Sequence, residues 1–332
     1  MYDGDHRRAP GERPLTRRPG EICAGNSEFT REPRNPGDGA KSWVPPFLGS
    51  RVSSGPRVEI WGVLNVTPDS FSDGGLYLLP DAAIARAKQM LTEGADVIDV
   101  GGASSRPKGQ TYGAGAEDVP IEVEIARVVP VVEAIARELG AKVSIDTVYG
   151  EVADAALRAG ARIVNDVSTG HDASLLFAVA EHRAELVLMH TRGHGEVTPE
   201  NTAYEDVVRD VGNDLVCACD RARACGVSTD RLWIDPGLGF AKTADQSARL
   251  LAHTRDFVGH GPRVLIGASR KSFLSVLAEH DGVRPAPDAR LAASLVAAIE
   301  AARGGAHAVR VHDVAETRQA LAVLDALEAR HA

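Results

Sequence analysis

Residues 58–66 read VEIWGVLNV and open a pattern of short apolar runs that continues almost to the end of the chain. The runs are rich in Val and Ile, and a longer alanine-rich segment with a helical period follows each of them. Strands that are apolar along their whole length are buried on both faces, which is typical of a parallel sheet covered by helices. The further runs are ADVIDVG (95–101), KVSIDT (142–147), RIVNDV (162–167), ELVLMH (185–190), RLWID (231–235), RVLIGAS (263–269) and HAVRVH (307–312).

The segments between the runs are the predicted helices. They lie at 81–93, 120–138, 150–159, 173–182, 204–224, 245–257, 288–303 and 314–329. Eight strand–helix units in succession predict an α/β fold, a (β/α)8 TIM barrel, because such barrels take roughly 250 residues. An open, doubly wound sheet is the alternative, but no Gly-x-Gly-x-x-Gly stretch follows the first run, which disfavours it.

The first part of the chain has a different composition. Residues 1–40 hold seven Arg, seven Asp or Glu, five Pro and six Gly, but few large apolar side chains. Such a stretch cannot bury enough apolar surface to offset the conformational entropy lost on ordering. We therefore expect a disordered extension over residues 1–55 and the barrel over 56–332, with a mis-assigned start codon as the alternative explanation of the extension.

Charge and cysteine content narrow the function classes. The formal net charge of −9 over 332 residues argues against a non-specific nucleic-acid binder, because phosphate neutralisation needs clustered Lys and Arg. No apolar run approaches the ~18 residues of a membrane span, so we expect no membrane association. Four cysteines are too few for a disulfide framework. We expect Cys217, Cys219 and Cys225 to be free thiols of a cytoplasmic protein.

Polar side chains end every apolar run. They are Asn65, Asp99, Asp146, Asn165 with Asp166, His190, Asp235, Ser269 to Lys271, and Arg310 with His312. In a barrel these positions share one rim, at the carboxyl ends of the strands, where barrel enzymes build their active sites. Any one of them could instead cap the next helix. Polar groups on all eight runs are more than caps need, so the set predicts a site.

The residue types at this rim suggest two kinds of ligand group. The carboxylates and the amide of Asp146, Asn165 and Asp235 suit a planar heterocycle with adjacent donors and acceptors. The cations suit a phosphate-like anion, and they are Arg106, Arg310 and His312.

The loop after the first run and the lysine after the seventh each allow two readings. Segment 61–75 carries Asn65, and an Asn oxygen together with substrate phosphates is a usual way to hold Mg²⁺. A set of turns without metal is the alternative. Lys271 could form a Schiff base, which requires a neutral amine. The neighbouring Arg270 could lower its pKa, and the residues alone leave this open.

These motifs together resemble the bacterial dihydropteroate synthases, over roughly residues 60–325. The matching stretches occur in the order of the family: GVLNVTPDSFSDGG, DVIDVGGASSRP, VSIDT, IVNDVS, LMHTRG, WIDPGLGFAKT, LIGASRKSFL and VRVHDVAET. The resemblance implies a transferase of folate biosynthesis that forms a C–N bond. It would join 6-hydroxymethyl-7,8-dihydropterin diphosphate to 4-aminobenzoate and release diphosphate and 7,8-dihydropteroate. It also implies a Mg²⁺ requirement, a homodimer, and sulfonamides as competitors of aminobenzoate.

The resemblance further implies roles for individual residues. The substrate-binding set is Ser105, Pro107, Asp146, Asn165, Met189, Asp235, Phe240, Ser269, Lys271, Arg310, Val311 and His312. In this set, the residues that hydrogen-bond the pterin are Asp146, Asn165, Asp235 and Lys271. Met189 would pack against the ring and Arg310 would stack on it. The aminobenzoate surface consists of Ser105, Pro107, Phe240 and Ser269.

The same comparison assigns the metal and the catalytic groups. Asn65 would be the metal ligand, and Phe71 and Asp73 would belong to a mobile first loop. Arg106, with Arg310 and His312, would hold the diphosphate. The catalytic residues would be Asp73, Arg106 and Lys271.

The chain also departs from the family pattern. The second loop usually reads Glu-Ser-Thr-Arg-Pro-Gly, whereas residues 103–108 read ASSRPK. Ser105 keeps a hydroxyl, but Ala103 lacks the carboxylate. The segment from Arg106 to Arg127 is longer than the usual form.

Two other functions remain as alternatives. A pterin-binding methyltransferase shares the Asp and Asn positions, but the intact first loop and residues 269–271 disfavour it. A non-catalytic homologue would have lost loop or anion-binding residues, and this chain retains Asn65, Asp73, Arg106, Arg310 and His312.

Overall fold

The strands close into a barrel in the order of the sequence. A computed structural model describes residues 57–66, 79–103, 119–193 and 195–330. The strands are β1 Glu59–Asn65, β2 Val97–Gly101, β3 Lys142–Asp146, β4 Ile163–Asp166, β5 Glu185–Met189, β6 Leu232–Asp235, β7 Arg263–Ile266 and β8 Ala308–Val311. All neighbouring pairs are parallel, including β8 with β1. The predicted (β/α)8 barrel is therefore confirmed and the open sheet is excluded.

Helices follow every strand. They are α1 Leu79–Glu93, α2 Ile121–Arg137, α3 Gly150–Ala159, α4 Ala173–Glu181, α5 Val207–Ala224, α6 Ala244–Ala252, α7 Ser272–Leu277, α8 Leu291–Arg303 and α9 Val314–Glu328. Two of the predictions differ from the structure. The helix predicted at 245–257 ends at Ala252, and a 3₁₀ turn, Thr254–Phe257, follows it. The short helix α7 precedes α8 and was not predicted. The predicted extension, residues 1–55, lies outside the described residues.

Apolar side chains fill the inside of the barrel below the rim. They form a cluster separate from the larger core between strands and helices, and consist of Trp61, Val97, Ile163, Val187, Trp233, Leu265 and Ala308. The rings of Trp61 and Trp233 meet edge to face with centroids 5.1 Å apart. This layer is a solid floor, as in other barrels of this type. The polar residues Asp99, Asn165, Asp235 and Arg310 come two positions further along their strands and lie above this layer.

Charged side chains close the amino end of the barrel, which lies opposite the rim. Glu185 accepts from Lys142 at 2.8 Å and from Arg263 at 2.5 Å. Its carboxylate also accepts from the indole Nε1 of Trp233 at 2.7 Å, and the guanidinium of Arg263 lies 4.0 Å from a Trp233 ring centroid. The lower end of the barrel is thus occupied by its own side chains.

The described part of the chain bears on the predictions about disulfides and membrane-spanning helices. Its cysteines Cys217, Cys219 and Cys225 form no disulfide, as predicted. None of its helices combines the length and the apolar character needed to cross a bilayer.

Candidate active site

The carboxyl ends of the strands bring the predicted polar side chains to one level. In the parallel register Asp146 is aligned with Asn165, and Met189 is aligned with Asp235. All four of these side chains are buried. Because aligned residues on neighbouring strands point to the same face, they line one pocket above the apolar floor.

Arg310 connects three strands at the bottom of this pocket. Its Nε donates to Asp99 Oδ2 at 2.5 Å and its Nη2 donates to Asp146 Oδ2 at 2.7 Å. Asn165 Nδ2 donates to the same Asp99 oxygen at 3.3 Å. The guanidinium thus joins β8 to β2 and β3, and it occupies a position beside the acceptors that a heterocyclic ligand would use.

Asp99 has no role in the sequence-based assignment, although its position at a strand end was noted. Its side chain is fully buried, and its Oδ1 has no hydrogen-bond partner within the described part of the chain. A buried carboxylate oxygen without a donor is costly, so this atom marks a place for a ligand N–H. The signal in the sequence was the carboxylate of Asp99 between apolar residues, in the middle of the run VIDVG (97–101).

Burial shapes the protonation of these carboxyls. It raises the pKa of Asp146 to about 7, while the charge of Arg310 opposes the rise. It also raises the pKa of Asp235, against the opposing charge of Lys271. For Arg310, burial disfavours the charge, but Asp99 and Asp146 outweigh it and raise the pKa of the guanidinium. A ligand that donates N–H groups would favour the charged form of the carboxyls.

Lys271 lies in this pocket among hydrogen-bond acceptors. Its Nζ donates to the backbone oxygen of Leu238 at 2.5 Å and lies 4.7 Å from the ring centroid of Phe240. Burial lowers the pKa of the amine to about 8, against the charge of Asp235. These partners stabilise an ammonium group, which favours a hydrogen-bond donor over a Schiff base.

Ser269 and His312 meet where β7 and β8 end. The Oγ of Ser269 lies 3.0 Å from His312 Nδ1 and accepts from the His312 backbone N–H at 3.2 Å. Arg270, between Ser269 and Lys271, turns the other way and donates through Nε to Asp313 at 3.1 Å. Of the three residues in this stretch, Ser269 and Lys271 are therefore the ones placed toward the pocket.

Three rim residues direct their side chains elsewhere. Val311 belongs to the core between strands and helices, so the structure does not bring its side chain to the pocket. Asp166 accepts from the backbone N–H groups of Ser168 and Gly170 and stabilises its own loop. His190 contacts α5 instead. Their neighbours in the sequence point inward, because side chains alternate along a strand.

The predicted metal ligand is exposed at the end of β1. Asn65 is aligned with Gly101 of β2 at the pocket edge. Within the described ranges, no three His, Cys, Asp or Glu side chains form a metal cluster. Mg²⁺ usually keeps several waters and takes one or two protein oxygens plus substrate phosphates, so an exposed Asn oxygen beside the pocket fits this ion. Phe71, Asp73, Ser105, Arg106 and Pro107 lie outside the described residues.

Comparison with known proteins places the chain in a family. The model of the pterin binding enzymes matches residues 61–312. The dihydropteroate synthase of Mycobacterium leprae (strain TN) is 47% identical over 272 residues, covering 81% of this chain and 93% of that protein. The dihydropteroate synthase of Escherichia coli (strain K12) is 39% identical over 268 residues, covering 81% and 91%.

Solved structures give the same result. The Xanthomonas albilineans dihydropteroate synthase with 4-aminobenzoic acid superposes with a TM-score of 0.75 at 41% identity, covering 82% of this chain and 94% of that one. A structure of the enzyme from the same organism, in complex with 7,8-dihydropteroate, has a TM-score of 0.72 at 39% identity, covering 84% and 97%. The chain belongs to the pterin binding enzymes and, among them, to the dihydropteroate synthases.

Proposed function

We propose that the rim pocket binds 6-hydroxymethyl-7,8-dihydropterin diphosphate and 4-aminobenzoate and joins them into 7,8-dihydropteroate. One observation carries this proposal. Buried acceptors on β2, β3 and β6 face one pocket, together with the cations of Arg310 and Lys271. Hydrogen-bond acceptors match the amino and ring N–H groups of a pterin, and cations match its diphosphate.

The pterin would lie on the apolar floor against Met189. Asp146, Asn165 and Asp235 would hydrogen-bond its edge, and the unpartnered oxygen of Asp99 would accept a further N–H. Lys271 would donate to the ring, and Arg310 would stack on it. Each buried pair of this kind contributes about 1–3 kcal/mol because its loss leaves a polar group unsatisfied.

The reaction needs charge stabilisation and positioning. The C–O bond to the diphosphate breaks, and its electron pair leaves on the phosphate oxygen. The dihydropterin delocalises the positive charge left at its methylene carbon. The amine of 4-aminobenzoate then forms the C–N bond and gives its proton to water. Cations placed before the reaction stabilise the leaving charge without reorganisation.

The chain's own groups would carry this stabilisation. Arg310 and His312, with Arg106, would contact the diphosphate. Asn65 would hold Mg²⁺, which supplies further stabilisation of the leaving charge when bound. Asp73, in the first loop, would complete the catalytic set.

The second substrate would lie beside the pterin, toward the end of β7. Its surface would consist of Phe240 and Ser269 from the described part of the chain, with Ser105 and Pro107. The aromatic ring of Phe240 already faces Lys271, so it would contact both substrates. Sulfonamides, which share the shape of 4-aminobenzoate, would compete at this surface.

The assembly and the location are further proposals. We expect a homodimer in the cytoplasm. Large apolar side chains on α7 and α8 support a second copy as the partner, since Leu277 is 56% exposed and Val296 is 67% exposed. Light scattering during size-exclusion chromatography should give the mass of two chains, and the mass of one chain across a wide concentration range would contradict the dimer.

An assay of 7,8-dihydropteroate formation from the two substrates tests the proposed reaction. Product should form only when both substrates are present, and omission of Mg²⁺ should lower the rate strongly. Pterin binding without any turnover would instead support the non-catalytic alternative.

A further inference from the structure

We infer that Lys242, held by His190 and Asp214, is a positioning residue that fixes the loop carrying Leu238 and Phe240 against Lys271. The three side chains are connected by hydrogen bonds in one line from α5 to the β6–α6 loop. The inference rests on the proposed function, because it assigns Lys271 and Phe240 to the substrates.

The line begins at α5 and passes through a buried histidine. Asp214 Oδ2 lies 3.1 Å from His190 Nε2 and also accepts from Arg192 at 3.2 Å. His190 is fully buried, and burial together with the charge of Lys242 lowers its pKa to about 3. A neutral imidazole has one donor and one acceptor nitrogen. With Nε2–H donating to Asp214, the Nδ1 of His190 is the acceptor.

Lys242 uses that acceptor and ties it to the loop. Its Nζ lies 2.9 Å from His190 Nδ1 and donates to the backbone oxygen of Phe240 at 2.9 Å. The side chain is only 2% exposed. Burying an amine is expensive unless acceptors surround it, and here both acceptors belong to segments that frame the pocket.

The loop passes very close to the end of β5. Gly237 has a φ of +69°, and a Cβ at this position would lie 1.9 Å from the backbone oxygen of His190. Neither the conformation nor the space admits a side chain. The loop therefore lies directly on the residue that Lys242 contacts, and a small displacement of one would move the other.

On its other side, the β6–α6 loop contacts Lys271. The Leu238 oxygen accepts from its Nζ at 2.5 Å, and the Phe240 ring lies under the amine. Burial lowers the pKa of the Lys242 amine well below its ordinary value, and the charge of Asp235 opposes this fall. Burial raises the pKa of Asp235, and Lys271 and Lys242 are among the groups that oppose this rise. Both Lys271 and Asp235 are assigned to the pterin.

Three substitutions test this line. Lys242→Met keeps the length of the side chain but removes the amine. His190→Asn leaves an amide near the position of Nδ1, within reach of Lys242, whereas His190→Gln places its amide nearer to Asp214. Thr254→Ala is the control, because it also removes a fully buried hydrogen bond, 2.7 Å from Thr254 Oγ1 to the Leu251 oxygen, in a segment that follows α6.

Kinetics of the full-length variants, measured well below each Tm, give the answer. Lys242→Met and His190→Gln should raise the KM for the pterin diphosphate by about tenfold, as expected when a buried hydrogen bond that orders the site is lost. His190→Asn should stay within about threefold of wild type, since it preserves the acceptor for Lys242. Thr254→Ala should lower the Tm and leave both KM values unchanged.

A purely structural role gives a different pattern. Lys242→Met would then lower the Tm like Thr254→Ala with unchanged KM values, and this result would overturn the inference. Equal kinetics of His190→Asn and His190→Gln would overturn it too, and this pair decides the matter if Lys242→Met does not fold. A wild-type chain without activity would refute the proposed function instead, so the two failures are distinguishable.

Discussion

At the end of β3, one carboxyl combines burial, an ion pair and a pKa near neutrality. Asp146 is paired with Arg310 at 2.7 Å, and burial raises its pKa to about 7. If it accepts N–H groups of the pterin, Asp146→Asn would leave a donor facing a donor. We expect kcat/KM to fall by an amount that corresponds to a loss of about 2–4 kcal/mol of transition-state stabilisation, which steady-state kinetics would measure.

The neighbouring strand offers a matched control for this substitution. Asp166 ends β4 and is buried as well. The hydrogen bonds described for its carboxylate all come from its own loop, from Ser168 and Gly170. Asp166→Asn should lower the Tm and leave the KM for the pterin diphosphate unchanged. Similar kinetic losses in both variants would show that Asp146 acts through stability and does not contact the pterin.

Pterin affinity should depend on pH in a defined direction. Asp146, with a pKa of about 7, becomes a charged acceptor as pH rises through that value. Lys271, with a pKa of about 8, loses its charge above it. Affinity for a pterin without diphosphate should therefore be highest between the two values and fall on both sides.

Calorimetry at a series of pH values checks this profile. Asp146→Asn should remove the fall on the acid side and keep the fall on the alkaline side. An affinity that is constant from acid to alkaline pH in the wild-type chain would contradict the assigned roles of both groups.

The sequence predicted the rim positions well and the directions of single side chains less well. The strand ends were visible because each apolar run stops at a polar residue. Asn165 and Asp166 are adjacent, however, and only the alternation fixed by the sheet register shows that Asn165 faces the pocket. Val311 was assigned to the substrates by resemblance, but its side chain lies in the core between strands and helices, whereas that of its neighbour Arg310 faces the pocket.

At the scale of elements, strands were easier to predict than short helices. The eight apolar runs match the eight strands to within three residues at each end. The helix α7, Ser272–Leu277, has only six residues, too few to show a helical period. The end of α6 at Ala252 depends on the packing of the turn after it, which no local pattern encodes.

Helices α3 and α4 meet at a glycine that the sequence did not single out. A Cβ on Gly150 would lie 2.1 Å from Ser174 Oγ and 2.7 Å from the backbone nitrogen of Leu175. The backbone contact cannot be relieved by a rotamer change. Gly150→Ala should therefore destabilise the fold by about 1–3 kcal/mol through overpacking.

Thermal unfolding would measure this effect, with Gly140→Ala as the control. Gly140, unlike Gly150, has open space around it: nothing lies within 4 Å of the position that a Cβ would take. Its φ, however, is +62°. Its substitution reports backbone strain alone, about 1 kcal/mol. A smaller loss for Gly150→Ala than for Gly140→Ala would refute the close contact between the two helices.

At the scale of the whole barrel, one end carries the pocket and the other is closed by charges. Burial disfavours the charge of Glu185, but its bonds to Lys142 and Trp233 outweigh this and lower its pKa below 4.5. Glu185→Gln should cost about 1–3 kcal/mol of stability at neutral pH. Because the folded-state pKa is depressed, this contribution exists above the unfolded pKa and is lost as pH falls through the folded one.

Denaturant unfolding of wild type and Glu185→Gln at neutral and acidic pH tests this closure. The difference in unfolding free energy should shrink as the pH is lowered, and activity should remain. Glu133→Gln, which breaks an exposed pair with Arg137, should change stability by less than about 1 kcal/mol. Equal losses for both variants would contradict a structural role for the charges at the amino end.

The central claim is that the carboxyl-end pocket binds the pterin and performs the condensation. Its most direct test is the rate of 7,8-dihydropteroate formation from both substrates with Mg²⁺, compared between wild type and Asp235→Asn. We expect product and diphosphate in equal amounts from the wild-type chain, and a kcat/KM for the variant that is lower by at least about tenfold, since a buried acceptor is lost. No product from the wild-type chain, or equal kcat/KM values for the two proteins, would contradict it.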